Sequence, residues 1–410
     1  MPDRDILRAL AGRVAEIAAL PVQDETRAIY RSLNDLHPIR PAVMVDELPW
    51  NQLNWDGELT LQCEDQYLKA VEDGMRKLIY RWDHCKGDLL IDPFYSLGRT
   101  VSIGGIGLKV VEDTLAADQG NHIVAHQYHD QLSDHAVLDL MHDQEITVDD
   151  EDTESKRELL DSLFGDLLPI RVTGVRHGYS FAPWDLISML RGVGPLLMSL
   201  YDEPEYMHAF MRKITDIQLK TLATLEEKNL LESYIPTIHC TPALTDELPG
   251  EMPGGRVTRR NLWGRGTAQI FASVSPAMHD EFDLKYQAEF FKGFGLVYYG
   301  CCEPLHDKID VVKKLPNLRK ISITPWADVD MSADQMGKDY VLSSKPNPAA
   351  VAVPVLDEEL LREDILKTLH ACKRNGTPCE FILKDISGVS YNPKNLTRWA
   401  DVVMDTVRNF

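Results

Sequence analysis

The sequence predicts an α/β protein, a (β/α)8 TIM barrel with an N-terminal helical extension and an inserted excursion. Three observations point there. Short apolar runs alternate with amphipathic helical stretches from Leu167 to the C-terminus, the pattern of parallel strands joined by crossover helices. About eight strand candidates can be counted, the number a barrel needs. Several end in acids, lysines or cysteines, and strand ends form the open face of such a barrel. Neither GxGxxG nor GxxxxGK[ST] occurs, which removes the usual signals of dinucleotide and P-loop enzymes.

Asp5 to Ala19 carries helical spacing through Ile6, Leu7, Leu10, Val14 and Ile17, and a second helix runs from Asp24 to about Leu33. In HPIRPAVMVDELPW the prolines bracket Ala42 to Val45. That run reads as a buried parallel strand tipped by Asp46 and Glu47. Glu64 to Arg81 is helical text. Gly87 to Pro93 reads as a strand tipped by Asp92. Residues 98 to about 165, including the tract ITVDDEDTESKRE, lose helical period and read as an excursion packed on the barrel.

From Leu167 the alternation resumes. PIRVTGVRHGYSFAPWDL is a strand and loop, followed by helices around Leu186–Leu200 and Glu205–Lys228. LESYIPTIHCTPAL is a strand ending at His239 and Cys240. GTAQIFASVSP is a strand leading into a helix from about Pro276 to Phe291. LVYYGCCEP is a strand followed by a short helix, His306 to Lys314. LRKISITPWADV ends at Trp326 and Asp328, and DYVLSSKPNPAAV at Lys345. A helix over Leu356–Asn375 precedes TPCEFILKDISGVSYNP, a strand ending at Lys384 and Asp385. A last helix covers Asn395–Arg408. The whole chain, 1–410, reads as one barrel domain, with 1–35 as its helical extension.

Composition narrows the function. A net charge of −21 opposes sequence-independent nucleic-acid binding, which needs basic patches, and opposes adhesion to anionic membranes. Seven cysteines without a CxxC pair point to free thiols in a reducing cytoplasm. No run reaches the roughly 18 apolar residues of a membrane span.

The densest chemistry is Cys301, Cys302 and Glu303, where a strand stops. Adjacent strand residues point opposite ways, so the two cysteines share one ion only if the strand breaks there. The alternative is two small buried apolar side chains. If His239 and Glu303 converge with Cys301, they form an open N/S/O zinc site. Asp46, Glu47 and Asp92 can orient a substrate or accept a proton, or serve as caps and ion pairs. Lys345, Lys384 and Asp385 can grip an acidic or phenolic oxygen. Trp184 and Trp326 can wall a pocket for a flat substrate, with Gln269 beside them. His122 and His126 have the i, i+4 spacing of a helical metal pair, but their polar segment lies outside the strand alternation.

The order of segments resembles the uroporphyrinogen decarboxylase superfamily, which includes cobalamin-dependent methyltransferases. The matching text is HPIRPAVMVDE, APWDLISMLRG, QIFASVSPAMHDEF, YYGCCEPL and NPKNLTRWADVV. True decarboxylases of the family carry an arginine-rich loop after the first strand. Here that place reads VDELPW, whose acids would repel a polycarboxylate substrate. Zinc methyltransferases of the family place His-x-Cys at one strand end and another cysteine near the C-terminus. Here those places are Tyr299-x-Cys301 and Lys384–Ile386, so only Cys301 is kept. The pattern is most similar to the corrinoid, O-demethylase methyltransferase I-like branch.

The resemblance implies transfer of a methyl group from a small methoxylated or N-methylated compound to cob(I)alamin. The corrinoid would come on a separate corrinoid protein, since the chain has no DxHxxG signature. Zinc as a Lewis acid, or Glu303 or His239 as a general acid with Lys384 alongside, would assist the leaving group. A small-acid decarboxylase using Lys384, and a non-catalytic corrinoid- or tetrapyrrole-binding barrel, are the competing readings.

Overall fold

The computed structural model describes residues 2–410 apart from 117–123, 176–179, 235 and 251–254. In chain order the strands are β1 (Ala42–Val45), β2 (Tyr95–Gly98), β3 (Thr100–Ile103), β4 (Glu112–Ala116), β5 (Val124–Tyr128), β6 (Ile146–Asp149), β7 (Ile170–Thr173), β8 (Ser180–Phe181), β9 (Thr237–Ile238), β10 (Thr241–Pro242), β11 (Trp263–Gly266), β12 (Leu296–Tyr299), β13 (Leu318–Ile323), β14 (Val341–Ser344) and β15 (Cys379–Leu383). Seven form one parallel sheet in the order β1-β15-β14-β13-β12-β11-β8. β12, β14 and β15 are buried along their whole length, as strands covered on both faces must be. Crossover helices at Pro276–Phe290 (with a π-helical turn at Asp280–Leu284), Val329–Met336, Glu358–Asn375 and Lys394–Asn409 connect or cover them.

The α/β class is therefore observed. The ladder ends at β1 on one side and β8 on the other, and no pairing that closes it into a ring occurs among the described residues. Shorter parallel contacts lie elsewhere: the Asp88 N–H donates to Val43 O at 2.7 Å, β2 pairs with β7, and Val175 bridges Leu231.

Where sequence and structure part, local chemistry explains it. Gly87 to Pro93 is not a strand. The Asp88 carboxylate accepts from Val43 N and from Arg40, and Gln23 Oε1 accepts from Ile91 N, so side chains take the place of ladder bonds. β9 and β10 form a minimal antiparallel hairpin, with His239 and Cys240 at its tip at φ 45° and 65°. The strand expected in GTAQIFASVSP lies upstream, at β11, and Gln269–Ser273 is a 3-10 turn. Two glycines hid it, since glycine is weak strand text. A Cβ on Gly264 would stand 2.5 Å from Phe291, and one on Gly266 2.6 Å from Gln287 Oε1, so only glycine lets the covering helix approach.

The tract Asp150–Phe164 is a helix, capped by Asp149, which accepts from Asp152 N at 2.8 Å. The helix expected at His306–Lys314 shrinks to Ile309–Val312. The N-terminal helices span Pro2–Ala18 and Pro21–Asn34. Leu7, Ala11, Val14 and Ile17 pack with Val71, Met75, Leu160 and Phe164. Among the described residues no helix is long and apolar enough to cross a membrane.

Candidate functional site

The site begins where β12 stops. Gly300 has φ +98°, and a Cβ there would meet Leu305 Cδ1 at 2.7 Å. This left-handed step, open to glycine alone at little cost, ends strand alternation. Tyr299 therefore turns to the helix layer, where its hydroxyl donates to Asp283 Oδ2 at 2.6 Å and lies 2.6 Å from His279 Nε2. Cys301 and Cys302 swing together, with sulfurs 3.5 Å apart. Ser322 Oγ donates to Cys301 O at 2.8 Å and fixes the turn to β13.

Opposite the thiols, β15 delivers Lys384 and Asp385. Lys384 is almost wholly buried, and its Nζ lies 3.0 Å from Asp385 Oδ2, 3.3 Å from Glu47 Oε2 and 3.6 Å from Cys301 Sγ. The Cys302 thiol donates to Asp385 Oδ2 at 3.2 Å, and Cys240 donates to Glu47 Oε1 at 3.3 Å. The contact with the Cys302 sulfur holds the Cys301 thiol below its ordinary pKa, against burial and with help from Lys384 and Arg265. Burial works against the Lys384 ammonium, but Cys301, Asp385 and Glu47 outweigh it and hold its pKa high. Each group thus favours the charged form of the other.

Cys301, Cys302, Trp326, Lys345, Lys384 and Asp385 line one cavity of about 240 Å³. A larger, mostly apolar groove of about 470 Å³ runs alongside it and shares Pro325 and Pro346. That groove presents two carboxylates, Asp357 and Asp364, but no thiol or cation; the smaller cavity carries both. Trp326 is 66% exposed at its rim.

Behind the cavity lies a buried polar network. Lys345 Nζ donates to Tyr298 OH and to Ser343 Oγ, each at 2.9 Å. Ser343 Oγ donates to Glu380 Oε1 at 2.7 Å, and Thr241 Oγ1 to Glu380 Oε2 at 2.6 Å. Lys320 Nζ completes it, 3.0 Å from Glu380 Oε2. Burial opposes the Glu380 charge, yet Lys320 and Lys345 hold this carboxyl below its ordinary value. Burial lowers Lys345 itself to about 8, so it can give up a proton near neutral pH.

Other expected residues fall elsewhere. Glu303 is buried behind the turn. Its oxygens accept from Thr267 Oγ1 at 2.9 Å, Ala268 N at 3.3 Å and Cys301 N at 2.9 Å, so it braces the strand ends. Burial keeps its pKa raised. His239 lies edge-on to Tyr298, ring centroids 5.2 Å apart. Burial, then Arg265, Lys345 and Lys384, push its pKa well down, so it is neutral and a poor proton donor. Asp46 pairs with Arg81 at 3.3 Å. Asp92 is held by Tyr234 and lies 3.7 Å from Arg27. Trp184 is fully buried and donates to Phe282 O at 3.2 Å, so it walls no pocket. Gln269 donates to Asp185 at 2.9 Å. His126 sits on β5 beside Glu112 at 2.8 Å, and His122 lies outside the described residues.

The zinc set does not fit this geometry. Among the described residues no three histidine, cysteine or acidic side chains converge on one point. Glu303 has its oxygens engaged, and Tyr299 stands turned away where a histidine would be needed.

Sequence reasoning missed Arg265, Tyr298, Lys320 and Glu380. Arg265 was hidden by its flanking glycines. Lys320 and Glu380 did leave a signal, charged residues inside β13 (LRKISI) and β15 (CEFIL). Buried charges must pair, and these two pair with each other.

No protein-family model matches the chain, and no curated protein matches it. Among solved structures, a methyltransferase from Methanosarcina mazei is similar at 10% identity. The match covers 92% of this chain and 97% of that one, with a TM-score of 0.48. A likeness at that score carries no residue role across to this chain.

Proposed function

We propose that the chain is a methyltransferase that moves a methyl group from a small methoxylated or N-methylated compound to cob(I)alamin on a separate corrinoid protein in the cytoplasm. We further infer that the sheet edges β1 and β8 face each other across a barrel-type domain whose gap is filled by residues 87–98, β7 and the Leu231 segment. Motifs spread along the whole chain support the family reading. The observation that carries the chemistry is Lys345, a buried proton-bearing amine in the wall of the cavity at the strand ends.

The difficulty in such a transfer is the charge that grows on the departing oxygen or nitrogen. Cob(I)alamin, when its carrier protein is docked, supplies the nucleophile. The chain's own residues must seat the donor and manage the proton. Trp326 offers a flat face at the rim. Lys345 donates a proton to the leaving atom and regains one from solvent through the cavity it lines. A positioned general acid contributes roughly 10²- to 10⁴-fold. Glu303 and His239 are not the acid: the first is enclosed and the second is neutral.

A mouth that admits a corrin needs an apolar rim. Trp55, Trp326, Val355 and Tyr391, all more than half exposed, lie in the segments that follow β1, β13, β14 and β15. The test is to mix the protein with chemically reduced cobalamin and a panel of methoxylated aromatics and methylated amines, following loss of the cob(I)alamin absorbance. Turnover that requires both donor and corrinoid is expected. Release of carbon dioxide from a small acid without any corrinoid would replace the reading with a decarboxylase.

A further inference from the structure

Cys301 and Cys302 sit next to each other in the wall of the small cavity. The left-handed step at Gly300 ends strand alternation, and the two sulfurs come within 3.5 Å. The backbone around them is held in place. Ser322 Oγ donates to Cys301 O at 2.8 Å, and Cys301 N donates to Glu303 Oε2 at 2.9 Å. Each sulfur also has a charged neighbour of its own. Lys384 Nζ lies 3.6 Å from Cys301 Sγ, and the Cys302 thiol donates to Asp385 Oδ2 at 3.2 Å.

We propose that Cys301 and Cys302 form a reversible oxidation site, at which hydrogen peroxide converts the two thiols into a disulfide between adjacent residues. The Cys301 thiolate attacks one peroxide oxygen. An S–O bond forms, the O–O bond breaks, and the departing hydroxide takes a proton from solvent and leaves as water. Cys301 is then a sulfenic acid. The Cys302 sulfur attacks the Cys301 sulfur and the S–O bond breaks. The hydroxyl leaves as a second water, with the proton that Cys302 gives up through Asp385. The two sulfurs lose two electrons and the peroxide gains them. Surroundings assign the roles. The thiolate is the nucleophile, and Cys301 is the cysteine beside a buried ammonium. Burial pushes the Cys63 and Cys85 thiols up to about 12. Cys301 goes the other way, drawn down by the Cys302 contact, Lys384 and Arg265. The same contact and burial push Cys302 up, so it keeps its proton until the second step.

Adjacent Cα atoms stand about 3.8 Å apart, less than the roughly 4.4–6.8 Å that disulfides usually span. The bond is therefore strained and readily reduced, which suits a regulatory disulfide and not a structural one. Its formation removes the thiolate that faces Lys384. On the methyl-transfer reading, on which this consequence alone rests, the oxidant that consumes cob(I)alamin would also disable the cavity, and a thiol reductant would restore it.

The test exposes the reduced full chain to a small excess of hydrogen peroxide, alkylates the remaining thiols in denaturant and maps them by mass spectrometry. Wild type is expected to lose two of its seven alkylatable thiols, both in the peptide carrying Cys301 and Cys302. That peptide should be lighter by two hydrogens, and dithiothreitol should return both thiols. Cys302→Ser lacks the resolving thiol and is expected to accumulate the Cys301 sulfenic acid, trapped by dimedone. Lys384→Met is expected to slow disulfide formation by roughly tenfold at neutral pH, since the thiolate fraction falls tenfold for each unit of pKa. Circular dichroism before treatment confirms that each variant is folded. Retention of all seven thiols by wild type overturns the proposal. So does oxidation of the pair to sulfinic acids with no reducible crosslink, or a disulfide that joins either residue to another cysteine. The wild-type arm decides even if the variants fail to fold. Thiol counting involves no methyl transfer, so failure here and failure of the methyltransferase reading are separate results.

Discussion

At the scale of single residues, the site is governed by which charges burial permits. Lys345 has its pKa pushed down to about 8 by burial, from an ordinary 10.5. The unfolded chain therefore holds that proton more tightly than the native one. Below about 8 the cost of the buried charge is fully present, and it fades as pH rises towards 10.5. Wild type should thus gain stability relative to Lys345→Met across that window, which thermal melts at several pH values would measure. Activity should move the other way, falling above about 8 as the donor loses its proton. Lys345→Met should lower the transfer rate by roughly 10²-fold or more and flatten that alkaline limb. An unchanged pH profile in the variant would remove Lys345 from the mechanism. Glu380→Gln addresses the network behind it. Breaking one side of a buried ion pair costs about 3–5 kcal/mol, and chemical denaturation should report a loss of that size.

At the scale of elements, glycines set where strands end and how closely helices sit. Gly300→Ala adds a Cβ 2.7 Å from Leu305 Cδ1 at a φ of +98°. It should cost about 1–3 kcal/mol and disturb the thiol pair, seen as a changed rate of alkylation at Cys301. Gly266→Ala drives a methyl into Gln287, Phe291 and Tyr299 and should destabilise by about 1–3 kcal/mol without touching a cavity residue. The same glycines limited what the sequence could say. β12, β13, β14 and β15 were legible because short runs rich in apolar and β-branched residues, such as LVYY and the FIL of CEFIL, allow little else. β11 was not, because WGRG has almost no strand propensity and owes its place to the aromatic helix packed on it. The hairpin tip at His239 and Cys240 was equally hidden, since two non-glycine residues with positive φ are held by tertiary contacts. The lining residues Cys301, Lys345, Lys384 and Asp385 were readable from strand-end position. Glu303 was misread because its enclosure depends on Thr267 and Ala268, a strand away.

At the scale of the whole molecule, acidity and the apolar rim act together. A net charge of −21 sets mutual repulsion against association through the uncovered Trp326 and Tyr391. If a corrinoid protein docks on that rim, Trp326→Ala should weaken transfer to the protein-bound corrinoid by roughly tenfold, the scale of losing about 1.4 kcal/mol at an interface. Transfer to free cobalamin should change less. Comparing the two acceptors in one assay distinguishes docking from substrate binding.

The charge opposite the vicinal thiols has a provenance that matters. An ion borrowed from solution can be stripped by a chelator, exchanged for a competitor or left unfilled during scarcity. Lys384 is synthesised with the polypeptide, one per molecule, so a cell starved of trace elements would still produce this cavity with its positive charge in place.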